Sequence, residues 1–304
     1  MAMLIVSTEK LPEECKKLIS VKDENLSEED LKKAEIIMLW PKQAVEILPK
    51  AKNVKVIQTF SAGVDDFPFN LLPKGVVLLS NAGAYSKSVA EHVFALILSL
   101  ARGVGKRDRN FEVRSIFNST FLILGGGGIG SEVARIGKKA FFTYNIGISR
   151  HFKEEKYFDE KYYSLKALKE IVPRVDVIVD TLPLNNETRG VLNYEVLKNV
   201  KHGVIIVNVG RAETIVEDDI YRLLLERKDV RFGTDVFWRK NGKEEFNNNK
   251  LWGLENFIGT PHIAGAGGNK KVREEALMAA CKNVSDYLKG EVKNMVRIED
   301  YVSQ

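Results

Sequence analysis

Short apolar runs recur along the chain, each ended by a polar or glycine-containing turn, and segments of helical periodicity lie between them. Residues 3–6, 35–40, 54–60 and 76–80 read as strands in the first quarter. Residues 121–124, 144–148, 175–181, 204–208, 230–235 and 257–260 read as strands in the remainder. Helical periodicity marks residues 11–19, 86–102, 165–171, 217–227 and 269–288, and the first helical turns after the strand at 121–124 cover 131–139. Strands alternating with helices predict an α/β protein whose parallel sheet is covered on both faces.

The run Ser86–Arg102 is the longest helical segment and is apolar around most of its circumference. A helix with so little polar face is expected to be buried, between domains or in a subunit contact, and it suggests a two-fold dimer. Residues 103–118 are polar and basic, with Gly103 and Gly105 as breakers, and read as a connector. A chain of 304 residues is long enough for two domains, each with its own core.

One segment carries a nucleotide signature. Gly125, Gly127 and Gly130 have G-x-G-x-x-G spacing, directly after a predicted strand and at the start of a predicted helix. In such a turn the first glycine allows the tight bend and the second lets backbone approach a diphosphate. The third lets helix pack close on strand, while the helix N-terminus offers N–H groups to the phosphates. A plain glycine-rich turn is the alternative, and the first 85 residues contain no comparable pattern.

Composition narrows the classes. Hydrophobic residues make up 44% and charged residues 29%, as in soluble globular proteins. The net charge of +5 is spread among interspersed acids and bases, with no basic face carrying aromatics. That fits a small anionic ligand and argues against nucleic acid. Cys15 and Cys281 lie far apart with no metal-ligand spacing, so free thiols in a reducing, cytoplasmic compartment are expected and no metal site. No run is long enough for a signal h-region or a membrane span.

In open α/β sheets ligands sit beyond the carboxyl ends of the strands. Arg211 follows the strand at 204–208, Asp235 ends the strand at 230–235, and His262 follows the strand at 257–260. The chain resembles the D-isomer-specific 2-hydroxyacid dehydrogenase family in an ordered set of segments. These are Ser61-Ala62-Gly63-Val64-Asp65, Val89-Ala90-Glu91-His92, the Gly125–Gly130 loop, and Leu182-Pro183-Leu184 with Thr188. Asn208-Val209-Gly210-Arg211, Gly233-Thr234-Asp235-Val236-Phe237 and Thr260-Pro261-His262-Ile263-Ala264-Gly265 complete it.

The resemblance implies a Rossmann domain, residues 87–268, inserted into a smaller flavodoxin-like substrate domain made of residues 1–86 and 269–304. A cleft between the two is expected to hold cofactor and substrate. It implies cofactor contacts from Gly125, Gly127, Ile129, Gly130, Leu182, Pro183, Thr188, Val209 and Asp235, the last reaching the nicotinamide carboxamide. Arg211 would hold the substrate carboxylate, helped by the backbone at Ala62 and Gly63. His262 would exchange the proton with the substrate oxygen, a task suited to a side chain that titrates near neutrality. The implied reaction is reversible reduction of a small 2-keto acid, glyoxylate or hydroxypyruvate first, to its D-2-hydroxy acid. A phosphoglycerate dehydrogenase relative and a non-catalytic, NAD(H)-sensing corepressor are the alternatives.

Three features bear on that reading. The family pairs its histidine with a glutamate about five residues beyond the aspartate, but position 240 is lysine and the following loop is about three residues longer. Glu244 or Glu245 would supply the carboxylate after an insertion, or both are solvated loop charges. Ala212 replaces a glycine after the arginine. Finally, the second Rossmann strand is followed by Ser149 and Arg150, with no acid to accept from a ribose 2′-hydroxyl. A hydroxyl and a cation there favour NADP(H), with NAD(H) possible. His92 is expected to be a packed histidine, and His151 and His202 surface residues.

Overall fold

The computed structural model describes residues 3–301. The chain divides into two compact units. One combines the residues up to 85 with those from 268 onward; the other is residues 86–267.

In the first unit, β1 (Ile5–Ser7), α1 (Glu13–Leu18), β2 (Val21–Lys22), α2 (Glu28–Lys33), β3 (Ile36–Leu39), α3 (Ala44–Ile47), β4 (Val56–Thr59) and β5 (Val77–Leu79) follow in order. The strands form one parallel sheet of order β2-β1-β3-β4-β5, the flavodoxin-like winding. β3 and β4 are buried at every position, as expected of strands covered on both faces. α2 has no fully buried residue; Leu31 packs half-buried against the core, and local chemistry caps the helix. The Ser27 hydroxyl accepts from the Asp30 N–H while the Asp30 carboxylate accepts from the Ser27 N–H, a reciprocal cap.

The second unit begins with α4 (Ser86–Arg102), β6 (Thr120–Leu124), α5 (Gly128–Phe141), β7 (Tyr144–Ile148), β8 (Glu160–Tyr162), α6 (Leu168–Ile171) and β9 (Val177–Asp180). It continues with α7 (Tyr194–Leu197), β10 (Ile205–Asn208), α8 (Glu217–Glu226), β11 (Arg231–Thr234), a hairpin of β12 (Arg239–Lys240) and β13 (Lys243–Glu244), and β14 (Phe257–Gly259). Seven strands pair in the order β14-β11-β10-β9-β6-β7-β8, all parallel, which is the doubly wound Rossmann arrangement. Register aligns one cross-strand row at the carboxyl ends: Ile148, Leu124, Asp180, Asn208, Thr234 and Gly259. Each residue that leaves this row starts a loop on the ligand side of the sheet.

Two expectations need correction here. The apolar surface of α4 is consumed inside its own unit, where Val93, Leu96, Ile97 and Leu100 are buried and the helix packs on β10, β11, β14 and α5. It therefore offers no apolar face from which to argue a dimer. The second correction concerns the cysteines. Helix α9 (Lys270–Leu288) belongs to the first unit and packs on α1, and Cys281 on it is disulfide-bonded to Cys15 on α1. Both are fully buried, in a cluster with Ile5, Ile36, Phe60 and Leu277. Spacing along the sequence misled because the pairing is made by the return of the chain, 266 positions later. The cysteine argument for a reducing compartment falls with it. Among the described residues no helix is long and apolar enough to cross a membrane.

Candidate active site

The glycine turn follows β6. Gly125 has φ +96°, in the left-handed region that glycine tolerates, and its N–H donates to the Ile148 carbonyl, 2.9 Å. A Cβ on Gly130 would overlap the Gly125 carbonyl oxygen, so the first turn of α5 lies directly on the bend. A Cβ on Gly127, by contrast, would meet nothing within 4 Å. The result is a close-packed bend whose middle faces open space at the N-terminus of a 14-residue helix, with Ile129 in its first turn. Such a cradle fits the diphosphate of a dinucleotide through backbone N–H groups and the helix dipole.

The loop after β7 buttresses this bend. The Lys153 N–H donates to the Gly126 carbonyl, 2.8 Å, and the Phe152 ring lies where side chains on Gly126 and Gly147 would otherwise be. Ser149 and Arg150 open the loop, and the first acid after β7 is Glu154. The Ser149 hydroxyl donates to the His151 carbonyl, 2.7 Å.

Beyond β9, Leu182 is buried, and the Thr188 hydroxyl donates to the Pro183 carbonyl, 2.6 Å, which closes the loop. Beyond β10, a Cβ on Gly210 would collide with the Leu182 backbone, so these two loops are in contact. The Val209 N–H donates to the Asp180 carbonyl, 3.0 Å. Asn208 shapes the Arg211 turn: its side-chain oxygen accepts from the Gly210 N–H, 2.9 Å, and its amide donates to the Arg211 carbonyl, 3.0 Å. Arg211 also donates from Nη1 to the Gly210 carbonyl, 2.7 Å. Ala212 is buried and is not among the positive-φ residues, so alanine is tolerated where the family carries glycine.

Asp235, buried at the end of β11, organises the next loop. Oδ1 accepts from the Thr260 hydroxyl, 2.6 Å, and the Ile263 N–H, 2.9 Å; Oδ2 accepts from the Ala264 N–H, 2.8 Å. These bonds bracket His262, whose φ of +53° is unusual for a residue with a side chain and persists only where the surroundings over-determine it. His92 on α4 joins the same group, its Nε2 2.8 Å from Thr260 Oγ1. The imidazole of His262 is half-exposed, and Nδ1 lies 2.7 Å from Glu244 Oε1. A carboxylate only accepts, so Nδ1 carries the hydrogen of this bond and Nε2 is the ring's other nitrogen. Burial pushes the Glu244 carboxyl up. The hydrogen bond and charge of His262, the Phe237 N–H and the Arg239 charge outweigh burial and hold it below its ordinary value.

Comparison with known proteins decides the family. Residues 79–264 match the model of the D-isomer specific 2-hydroxyacid dehydrogenase NAD-binding domain. The chain belongs to that family. It is 30% identical over 276 residues to a hydroxypyruvate reductase of Thermotoga maritima, covering 83% of this chain and 88% of the relative. It is 28% identical to a D-3-phosphoglycerate dehydrogenase of Methanocaldococcus jannaschii, covering 88% of this chain but 52% of that longer protein. Among solved structures, the D-lactate dehydrogenase of Aquifex aeolicus complexed with NAD and lactic acid superposes with a TM-score of 0.72 at 27% identity, covering 99% of this chain and all of that one. The protein is thus a nicotinamide-dependent oxidoreductase of the 2-hydroxyacid dehydrogenase family.

Against that family, the residues expected from sequence sort by unit. The glycine turn, Ser149, Arg150, Leu182, Pro183, Thr188, Val209, Arg211, Asp235 and His262 all follow carboxyl ends of strands in the Rossmann sheet. Ala62 and Gly63 belong to the first unit, in the loop after β4, where the Ser61 hydroxyl donates to the Gly63 carbonyl, 2.6 Å. Glu244, left open between partner and solvated charge, is bonded to His262, whereas Glu245 pairs with Lys240. The carboxylate at His262 removes the departure from the family pattern that Lys240 had raised. Sequence reasoning missed Asp180, Thr214 and the contact of His92 with Thr260. For Asp180 the available signal was an acid at the end of an otherwise apolar strand. A cavity of about 660 Å³ lies at the opposite, amino ends of β11 and β14, lined by Lys106, Phe111, Lys228, Arg231 and Asn256; none of the expected site residues lines it.

Proposed function

We propose that this dehydrogenase interconverts a small 2-keto acid, glyoxylate or hydroxypyruvate first, and its D-2-hydroxy acid, with NADP(H) preferred over NAD(H). The observation that carries the reading is the His262–Glu244 pair, held on a strained turn past β14, two strands from the turn bearing Arg211. Arg211 anchors the substrate carboxylate; a guanidinium is permanently charged and binds carboxylates through a planar fork. His262 Nε2 gives its proton to the keto oxygen, and Glu244 stabilises the positive ring through Nδ1. The nicotinamide, when bound, supplies the hydride that reaches the carbonyl carbon. In the reverse direction Nε2 takes the hydroxyl proton. Asp235 Oδ2 accepts a single hydrogen bond and so keeps capacity for a carboxamide N–H. The similarity to the Thermotoga maritima hydroxypyruvate reductase supports the choice of substrate.

The test is a steady-state screen of glyoxylate, hydroxypyruvate, pyruvate and phenylpyruvate with NADPH and NADH. Glyoxylate or hydroxypyruvate should lead. His262→Gln should lower kcat about 10²- to 10⁴-fold, the usual worth of a general acid, while nucleotide affinity holds. Arg211→Ala should raise KM for the keto acid by at least about tenfold, the loss of a charge-assisted bond of roughly 1.5–3 kcal/mol. Wild-type rates in either variant would refute the role assigned to it.

A further inference from the structure

Asp180 is a fully buried carboxyl group that the proposed reaction does not use. It is the last residue of β9, between Leu124 of β6 and Asn208 of β10 in the cross-strand row. Its Oδ1 accepts from the Leu182 N–H, 3.0 Å, and its Oδ2 lies 2.5 Å from the Thr214 hydroxyl. That hydroxyl is also 2.7 Å from the carbonyl oxygen of Arg211. One carboxyl group therefore joins the loop carrying Leu182 and Pro183 to the turn carrying Arg211.

The hydrogens decide how firmly. A threonine hydroxyl has one hydrogen, and two acceptors, Asp180 Oδ2 and the Arg211 carbonyl, compete for it. With Asp180 ionised, only one of the two bonds is made. With Asp180 protonated, its O–H donates to Thr214 Oγ1, and the Thr214 O–H is released to donate to the Arg211 carbonyl; both bonds form. Resting on the reading of Arg211 as the carboxylate anchor, we propose that Asp180 is a positioning residue for the Arg211 turn, acting through Thr214, and that its proton completes the connection.

Burial pushes the Asp180 carboxyl up to about 6, against the hydrogen bonds from Thr214 and the Leu182 N–H, and no charge is among the causes. Leu124, Leu182, Asn208 and Thr214, its strand and hydrogen-bond neighbours, do not titrate; the charged residues of the connected turn are Arg211 and Glu213. The proton is bound below about pH 6 and lost above it, so the Arg211 carbonyl loses a donor as pH rises.

Two substitutions fix the opposite states. In Asp180→Asn the amide oxygen accepts from Leu182 and the amide nitrogen donates to Thr214 at every pH, so the protonated pattern is permanent. In Thr214→Val the hydroxyl is gone and the loosened pattern is permanent. KM for glyoxylate, measured from pH 5 to 8, should rise about fivefold in the parent protein, the worth of one hydrogen bond of about 1 kcal/mol. It should stay flat and low in Asp180→Asn, and flat and high in Thr214→Val. Thr214→Ser, which keeps the hydroxyl, should restore the pH dependence, and the pH profile of kcat should be the same in all. A carbon-13 NMR titration, with the Asp180 carboxyl assigned by its loss in Asp180→Asn, should show a midpoint near 6. An Asp180→Asn variant with the parent's KM profile, or a carboxyl already ionised at pH 5, overturns the inference. Failure of the proposed function reads differently: the parent protein turns over no keto acid at any pH, and the premise about Arg211 goes with it.

Discussion

Both units wind a parallel sheet, yet the turn after the first strand has opposite fates in the two. After β6 the chain bends through glycines and faces open space at Gly127. After β1 the corresponding stretch is filled by its own side chains. The Ser7 hydroxyl donates to the Glu9 carbonyl, 2.7 Å, and the Thr8 hydroxyl donates to Gln43, 2.7 Å. The Glu9 carboxylate accepts from Trp40 Nε1 and from Arg273, both 2.7 Å, and the Leu11 N–H donates to Asp23, 2.8 Å. The winding is shared; what differs is whether backbone donors remain for a ligand. A nucleotide site on this architecture depends on side chains being withheld from one turn.

Adding a side chain to the withheld turn should produce the largest effect. Gly130→Val forces its Cβ into the Gly125 carbonyl, and either α5 or the bend must move. Nucleotide affinity should fall at least about 100-fold, and the Rossmann unit should lose several kcal/mol, at the severe end for single substitutions. Thr8→Ala, at the filled turn, removes one hydrogen bond and should cost about 1 kcal/mol without touching nucleotide binding. Fluorescence titration with NADPH and calorimetry of both variants compare the turns directly; equal effects would erase the contrast between them.

The first unit has its own distinguishing device, the Cys15–Cys281 disulfide. A bond closing a loop of 266 residues restricts the unfolded chain by roughly 5–6 kcal/mol on loop-entropy grounds, before any native-state cost is subtracted. Cys281→Ser should therefore lower unfolding stability by a few kcal/mol, read by urea titration with and without reductant. Nucleotide affinity, which the second unit carries, should not move. Unchanged stability, or a changed affinity, would mean that the two units do not divide these tasks.

Much of this was legible in sequence because one physical rule governs it. Buried parallel strands are short and apolar, so residues 144–148 and 86–102 emerge with the bounds expected, and polar residues just past the strands mark the ligand side. What escaped were contacts made by insertion, by return of the chain, or between loops. Glu244 reaches His262 from a hairpin that periodicity does not register, since each of its strands has two residues. α2 turns only Leu31, half-buried, to the core, too little for an apolar periodicity to detect. The Asp180–Thr214 bond joins positions 34 apart whose side chains meet only after β9 and β10 are in register.

The smallest expected effect tests which cofactor the withheld turn serves. The reading of NADP(H) gave Ser149 and Arg150 similar weight, but their surroundings separate them. The Ser149 hydroxyl already gives its hydrogen to the His151 carbonyl and shapes the turn, so an incoming phosphate would have to compete for it. Arg150 brings the positive charge at the end of the second Rossmann strand, where no acid precedes Glu154 to repel a 2′-phosphate. Arg150→Ala should thus raise KM for NADPH about tenfold, or about 1.4 kcal/mol, and leave KM for NADH within about twofold. Ser149→Ala should change either value less than about threefold, since a solvated hydrogen bond is worth little. An equal loss for both nucleotides in Arg150→Ala would make the arginine a support of the loop, and the preference for NADP(H) would lose its main physical ground.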